Sequence, residues 1–194
     1  MYTQLLPQGA PRVLAVKLSV IGERSVRSKH PWIFTDSIEK INKEGMPGDI
    51  AIIFSHSKNK AIGVGLYDPD SPIRIKMVHF NGGATLNKAF FSEKIKKAYA
   101  LRVPLLRTKT NSYRLLFGEN DGFPVCIVDV YAKVLVVKLY SKIWIPYLKD
   151  IIDSLISVSG VETVVIRLSR KLQQDTSVTL EDGCIIYGSL HNQT

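Results

Sequence analysis

The chain has 194 residues, of which 45% are hydrophobic and 22% charged, so it can bury a core and is not a disordered tail. Its net charge of +9 points to a polyanionic partner, with nucleic acid as the first candidate. No apolar run approaches the roughly 20 residues of a membrane-spanning helix, and the N-terminus lacks a signal-peptide pattern. We therefore predict a cytoplasmic protein without a membrane partner. The two cysteines, Cys126 and Cys184, form no CxxC pair, so no metal site is predicted.

The first part of the chain contains short strand-like runs separated by turn residues. These runs are residues 13–21, 49–54, 61–67 and 73–78. Several short strands at this spacing are typical of a small β-barrel rather than a βαβ unit. In the last run, apolar residues alternate with Arg74 and Lys76, which predicts one packed face and one cationic face.

Residues 22–34 combine cations with a rigid apolar anchor. Arg24, Arg27 and Lys29 lie within one short stretch and are predicted to contact phosphate groups. The alternative is an ordinary solvated cationic loop, which composition alone does not exclude.

The anchor follows the cations directly, as His-Pro-Trp-Ile-Phe. His30 is a candidate RNA contact, although a histidine before Pro31 also suits the orientation of a turn. Trp32 and Phe34 are predicted to plug the core of the barrel. The alternative is that their rings stack on bases.

A change of pattern at residues 81–84 marks the predicted domain boundary, which divides the chain into 1–81 and 82–194. A helical period begins near Thr85 and ends or breaks near Pro104. The remaining predicted elements are strands at 113–117, 125–130, 134–140 and 161–168 and a helix at 145–156. This order predicts an α+β domain with a mostly antiparallel sheet.

The helix and the residues after it form a second basic segment. Residues 88–114 contain eight cations and the single acid Glu93. We predict that Lys94 and Lys97 in this segment contact RNA, together with Arg74 and Lys76 of the first domain.

Two groups of residues in the second domain suit catalysis by type. Glu119, Asp121 and Asp129 resemble a carboxylate cluster, but Glu-Asn-Asp-Gly is also the composition of a hairpin turn. A cysteine thiolate such as that of Cys126 attacks carbon 6 of cytosine during methylation at carbon 5, yet this cysteine lies in an apolar run. We predict that both groups are structural and that the chain contains no catalytic residue.

Several of these segments resemble the N-terminal part of a bacterial family of S-adenosylmethionine-dependent methyltransferases, which modify cytosine at carbon 5 in 23S ribosomal RNA. The similar segments are residues 22–34, 47–49, 61–71, 118–124 and 127–129. The resemblance implies a PUA-type RNA-binding β-barrel over residues 1–81. It also implies that residues 82–194 form the central α+β domain of these enzymes.

In the family, a Rossmann methyltransferase domain follows and carries the cofactor site and the nucleophilic cysteine. The expected fold class is therefore α+β with that domain absent. We expect this chain to bind no cofactor, whereas the resemblance implies S-adenosylmethionine for the complete enzymes of the family. The expected function is RNA binding as the substrate-recognition part of the enzyme, without its catalytic domain, on structured RNA such as 23S ribosomal RNA. The alternative is a protein-interaction or dimerisation module without RNA contact, and a homodimer is a possible partner state. Whether the chain is itself an enzyme is left open.

Overall fold

The computed structural model describes Leu6 and residues 9–190. This part of the chain includes two compact units, one of residues 9–86 and one that contains residues 87–190. Within the described residues, no helix is both long and apolar enough to cross a membrane. The functional division into 1–81 and 82–194 stays a prediction.

The first unit contains six strands and one helix. They are β1 (Val13–Leu18), α1 (Val20–Arg27), β2 (Trp32–Phe34), β3 (Ile38–Ile41), β4 (Ile50–Phe54), β5 (Ala61–Tyr67) and β6 (Ile73–Phe80). The strand order is β2-β6-β5-β4-β1-β3, and β1 and β4 form the parallel pair. The sheet is therefore mixed, and no hydrogen-bonded ladder between β2 and β3 closes the predicted barrel. The edge strands β2 and β3 are linked by the short 3-10 turn Thr35–Ser37.

Helix α1 replaces the end of the predicted strand 13–21. The Ser19 side chain caps the helix by accepting a hydrogen bond from the Gly22 N–H at 3.2 Å. Gly22 and Val26 are the buried residues of α1, and Val26 joins the core of the sheet. The predicted cationic loop is therefore mostly the last turn of a helix.

Strand β6 is buried along its middle on both faces. Ile75, Lys76 and Met77 are each no more than 2% exposed. The predicted cationic outer face of this strand is therefore wrong at Lys76. An ion pair between Lys76 and Asp68, 2.7 Å apart, compensates for the burial of the ammonium group.

The second unit contains five strands and three helices in the described residues. They are α2 (Lys88–Leu106), β7 (Ser112–Phe117), β8 (Cys126–Tyr131), β9 (Val134–Leu139), α3 (Leu148–Ser159), β10 (Thr163–Leu168), α4 (Arg170–Gln173) and β11 (Ile185–Tyr187). The strand order is β11-β10-β9-β8-β7, and β9 pairs in parallel with β10. A 3-10 segment, Lys142–Tyr147, and α3 make the crossover between these two strands.

Helices α2 and α3 pack against each other, and aromatic side chains fill the core of this unit. Trp144 is fully buried, and its ring centroid lies 5.4 Å from that of Phe123 and 6.2 Å from that of Phe91. Helix α2 begins with Asn87 as its cap rather than Thr85, and Pro104 lies inside it rather than at its end. The aromatic cluster stabilises the packing of the helices on the sheet of this unit.

Candidate nucleic-acid interface

The C-terminal turn of α1 gathers three of the predicted RNA contacts. Arg24, Arg27 and Lys29 are all exposed. Lys29 has a positive φ of 62°, which turns the chain out of the helix, and its N–H donates to the Val26 carbonyl at 2.9 Å. Cations at a helix C-terminus are favoured by the helix dipole, so this turn is a stable place for a cluster of positive charge.

Arg27 is held in place by Glu23. The Arg27 Nε and Nη2 groups donate to Glu23 Oε1 at 2.9 and 2.7 Å. Glu23 Oε2 accepts a further hydrogen bond from the His56 backbone N–H at 2.5 Å. This backbone bond is the main reason why the pKa of Glu23 lies below its usual value, and the Arg27 bonds lower it further against the opposing effect of burial. Glu23 thus stays ionised and fixes the direction of the Arg27 guanidinium.

Arg27 also lines a groove beside the turn between β4 and β5. Lys58 and Lys60 contribute two more exposed cations to this groove, and Ser55 and Asn81 contribute polar groups. A second groove on the same turn contains lysines from β1 and β3 and the ring of His56. The lysines that line it are Lys17 and Lys40.

Lys58 and Lys60 were not among the predicted contacts, because residues 57–60 have the composition of a turn between two strands. Their alternation with Asn59 in Ser-Lys-Asn-Lys was the available signal. Lys17 and Lys40 were missed because their pairing across β1 and β3 is not visible in the sequence.

The apolar anchor has the opposite orientation to the predicted one. Ile33 is 2% exposed and belongs to the core, whereas Trp32 and Phe34 are 37% and 45% exposed. The prediction that Trp32 and Phe34 plug the core is therefore wrong, because only the middle residue of this three-residue strand points inward. His30 packs edge to face against Trp32, with 6.0 Å between ring centroids, and its Nδ1 accepts the Trp32 N–H at 3.3 Å.

The two predicted contacts on β6 are both engaged within the unit. Lys76 donates to Asp68 and to the Ile73 carbonyl, at 2.7 and 2.9 Å, so we leave it out of the proposed RNA surface. Arg74 is half-buried, and it donates through Nη1 to the Pro69 carbonyl and through Nε to Thr35 Oγ1 at 3.3 Å.

The remaining predicted contacts lie on α2, in the second unit. Lys94 is half-buried with its ammonium 5.5 Å from the centroid of the Phe90 ring, and burial, followed by repulsion from Lys97, lowers its pKa. Lys97 is exposed and pairs with Glu93 at 2.5 Å. Both remain candidates for RNA contact. They belong to the second compact unit, whereas α1 belongs to the first.

Two of the three predicted carboxylates, Asp121 and Asp129, are paired within the fold. Asp121 pairs with Arg102 and accepts the Phe117 N–H at 2.7 Å, and Asp129 pairs with Arg114. Within the described residues, no group of three or more His, Cys, Asp and Glu is arranged to hold a metal ion.

Cys126 is expected to resist alkylation in the folded protein. Burial raises the pKa of its thiol to about 12, which leaves only about one thiol in 10,000 ionised near pH 8. We expect iodoacetamide at about pH 8 to modify Cys126 only after denaturation, as measured by mass spectrometry of peptides. Cys184, which is half-buried, is the internal comparison. Modification of Cys126 as fast as Cys184 in the native protein would contradict its burial.

Comparisons with known proteins show what each part of the chain is similar to. Residues 16–80 match the PUA-like domain family. The chain is 36% identical over 187 residues to a ribosomal RNA large subunit methyltransferase of Deinococcus radiodurans, covering 93% of this chain and 45% of that protein. It is 37% identical over 131 residues to a ribosomal RNA large subunit methyltransferase I of Shewanella frigidimarina, covering 66% of this chain and 32% of that protein. The chain therefore spans less than half the length of these relatives.

Two solved structures share the fold. One is a protein of Streptococcus mutans assigned as a SAM-dependent methyltransferase, with a TM-score of 0.76 and 13% identity over 92% of this chain and 44% of that chain. The other is SMU.776, assigned as a methyltransferase and complexed with SAH, with a TM-score of 0.74 and 13% identity over 93% of this chain and 43% of that chain.

These likenesses correct three predictions. We predicted an α+β fold class without the methyltransferase domain. More than nine-tenths of the chain, however, superposes on proteins assigned as methyltransferases. The predicted function, RNA binding without a catalytic domain or alternatively a protein-interaction module, is overturned by the similarity to a ribosomal RNA methyltransferase along 93% of the chain. The predicted absence of a cofactor is overturned because a protein of the same fold is complexed with SAH.

The groove that Arg27 lines does not fit an S-adenosyl ligand. Arg27, Lys58 and Lys60 would repel the positive sulfonium of S-adenosylmethionine. The connection from β9 towards α3, which begins Tyr140-Ser141-Lys142, contains no glycine that would allow close approach of a ligand. We therefore assign no cofactor contact to these three cations or to this connection. What the comparisons establish is a PUA-like domain at residues 16–80 and a chain similar, in sequence and in fold, to methyltransferases.

Proposed function

We propose that this protein acts in S-adenosylmethionine-dependent methylation of large-subunit ribosomal RNA and that its first unit binds the RNA. The observation that carries the proposal is the preorganised cation cluster at the end of α1. Arg27 is fixed there by Glu23, beside exposed Arg24 and Lys29, and faces a groove that contains two further lysines. Fixed guanidinium groups suit phosphate recognition because little side-chain entropy is lost on binding.

The finer parts of the proposal come from the resemblance described above. They are 23S ribosomal RNA as the substrate and carbon 5 of cytosine as the methylated atom. We also propose the cytoplasm as the location and a homodimer as the assembly. Cys126 is unsuited to the nucleophilic attack that cytosine methylation requires, since its thiol is buried and has a raised pKa.

Replacing Arg24 and Arg27 together by Ala is expected to weaken binding to a structured fragment of 23S ribosomal RNA by roughly 1–3 kcal/mol, because charged hydrogen bonds to phosphate are lost. Filter binding measures the affinity, and the wild-type Kd is expected to rise about 100-fold between about 50 and 200 mM salt for four phosphate contacts. The matched control replaces Lys43 and Lys149, two other exposed cations, by Ala. Equal losses in both double variants would show that only net charge matters and would remove α1 from the interface.

The methylation itself is tested in cells. Large-subunit RNA from cells that lack the intact gene is expected to lack one methylated nucleoside, identified by mass spectrometry. Re-expression of the intact gene should restore this nucleoside, and the Arg24→Ala, Arg27→Ala allele should restore less of it than the Lys43→Ala, Lys149→Ala allele. Unchanged RNA methylation in the deletion strain would refute the proposed function.

A further inference from the structure

The sheet of the second unit has one open face. Its opposite face carries buried residues such as Val128 and Val137, and both lie in the core of the unit. Along the open face, the strand pairing places Phe117, Ile127 and Lys138 in one row across β7, β8 and β9. The next two rows are Arg114, Asp129 and Val136, and then Ser112, Tyr131 and Val134.

Three aromatic rings on this face are exposed to solvent. Phe117, Tyr131 and Tyr140 are 48%, 53% and 41% exposed. Tyr131 lies four positions along β8 from the residue that pairs with Phe117, which is roughly 13 Å at the usual rise of a strand. Phe117 and Tyr131 therefore do not stack on each other, and the exposed surface of each is available for a planar ligand.

Cations accompany two of these rings. The Arg114 guanidinium lies 5.3 Å from the centroid of Phe117, and the Lys138 ammonium lies 5.2 Å from the centroid of Tyr140. Cation–π contacts of this kind hold the charged group next to the ring. A base stacked on either ring would thus have a cation within reach of its phosphate.

The acids near this face do not make it anionic. Asp129 accepts from Arg114 at 2.8 Å, and Asp182 accepts from Arg167 at 2.9 Å. Each carboxylate is therefore balanced by a guanidinium, and the charge of Lys138 is additional to these pairs. The electrostatics of the face suit a polyanion better than an acidic or purely apolar partner.

We propose that this open face binds single-stranded RNA, with bases stacked on Phe117, Tyr131 and Tyr140 and phosphates near Arg114 and Lys138. Stacking on exposed aromatic side chains of a sheet is a sequence-tolerant way to hold unpaired bases. A protein partner would instead favour a continuous apolar patch, whereas charged side chains interrupt the apolar ones here. The inference rests on the proposed function only in that RNA is the bound polymer.

The test uses the 194-residue chain and a single-stranded oligouridine labelled with a fluorophore. Phe117→Leu with Tyr131→Leu removes two stacking surfaces but keeps apolar bulk at both exposed positions. We expect this double variant to lose about tenfold or more in affinity for the oligonucleotide, as measured by fluorescence anisotropy. The control, Leu101→Ala with Leu105→Ala, alters two exposed apolar residues of α2 and should bind like the wild type. Circular dichroism and the urea midpoint verify that both variants are folded.

Binding of the oligonucleotide by the folded Phe117→Leu, Tyr131→Leu variant with wild-type affinity would overturn the inference. The same result together with a change of mass in light scattering would also overturn it, and would identify the face as a protein interface. These outcomes are separable from failure of the proposed function, because binding of structured ribosomal RNA through Arg24 and Arg27 is measured in other variants. If structured RNA binds and the oligonucleotide does not, only the present inference fails.

Discussion

Replacing Lys76 by Met is expected to lower the free energy of unfolding of the first unit by about 3–5 kcal/mol, because the substitution leaves the Asp68 carboxylate buried without its counter-ion. The two side chains are 3% and 5% exposed, and Nζ lies 2.7 Å from Oδ2. Lys76 also donates to the Ile73 carbonyl, so the same ammonium ties both ends of the turn between β5 and β6. Urea unfolding followed by circular dichroism measures the change.

Two further variants determine whether the lost ion pair is the cause. Lys76→Met combined with Asp68→Asn removes the buried charge as well and should recover much of the lost stability, since a neutral amide is far less costly to bury. Lys40→Met removes an exposed lysine from β3 and is expected to stay within about 0.5 kcal/mol of the wild type. An effect of Lys76→Met as small as that of Lys40→Met would mean that Lys76 is solvated.

Replacing Trp144 by Ala is expected to destabilise the second unit by about 3–5 kcal/mol, because a fully buried indole is lost from a packed aromatic cluster. The Trp144 Nε1–H donates to the Pro124 carbonyl at 2.6 Å, so the substitution also leaves that acceptor without its partner. Phe91, Phe123 and Tyr147 surround the ring and would border the resulting cavity. The midpoint of urea unfolding is the measurement.

Trp144→Phe distinguishes the packing contribution from the hydrogen bond. It keeps an aromatic ring but removes the donor, so a loss of roughly 1–3 kcal/mol is expected for the unsatisfied carbonyl. Trp32→Ala is the matched tryptophan control, because Trp32 is 37% exposed, and its effect should be smaller than that of either Trp144 variant. A larger loss at Trp32 than at Trp144 would reverse the assignment of surface and core.

Local composition predicted some elements correctly. It failed for elements whose structure depends on contacts with segments that are distant in the sequence. The predicted strand 61–67 coincides with β5, because its apolar run is bounded by turn residues. Helix α1 was missed, since Val20, Ile21 and Gly22 favour a strand or a turn by propensity. The helix forms because Ser19 caps it and its buried face packs on the sheet.

The candidate site was predictable in its charges and not in its geometry. Arg24, Arg27 and Lys29 were recognised by their spacing, but the bond between Glu23 and the His56 backbone connects segments far apart in sequence. The run Trp-Ile-Phe is apolar throughout, so it carries no alternation from which to tell that Ile33 points inward. The burial of Lys76 depends on Asp68, an acid on the far side of the turn that precedes β6, and alternation alone predicted the reverse.

The strand order of the first unit has a consequence for synthesis on the ribosome. Strands β4, β5 and β6 are joined by short turns and pair with their neighbours in sequence, so they have the smallest loop-closure cost. By contrast, β2 pairs with β6, so Trp32 can pair with Lys76 in the sheet only after nearly the whole unit has been translated. The surface that carries the α1 cations and Trp32 is therefore completed last. A nascent chain that stalls before β6 emerges would leave Ile33 without Ile75, its partner in the neighbouring strand, so apolar surface that is buried in the folded unit would stay exposed.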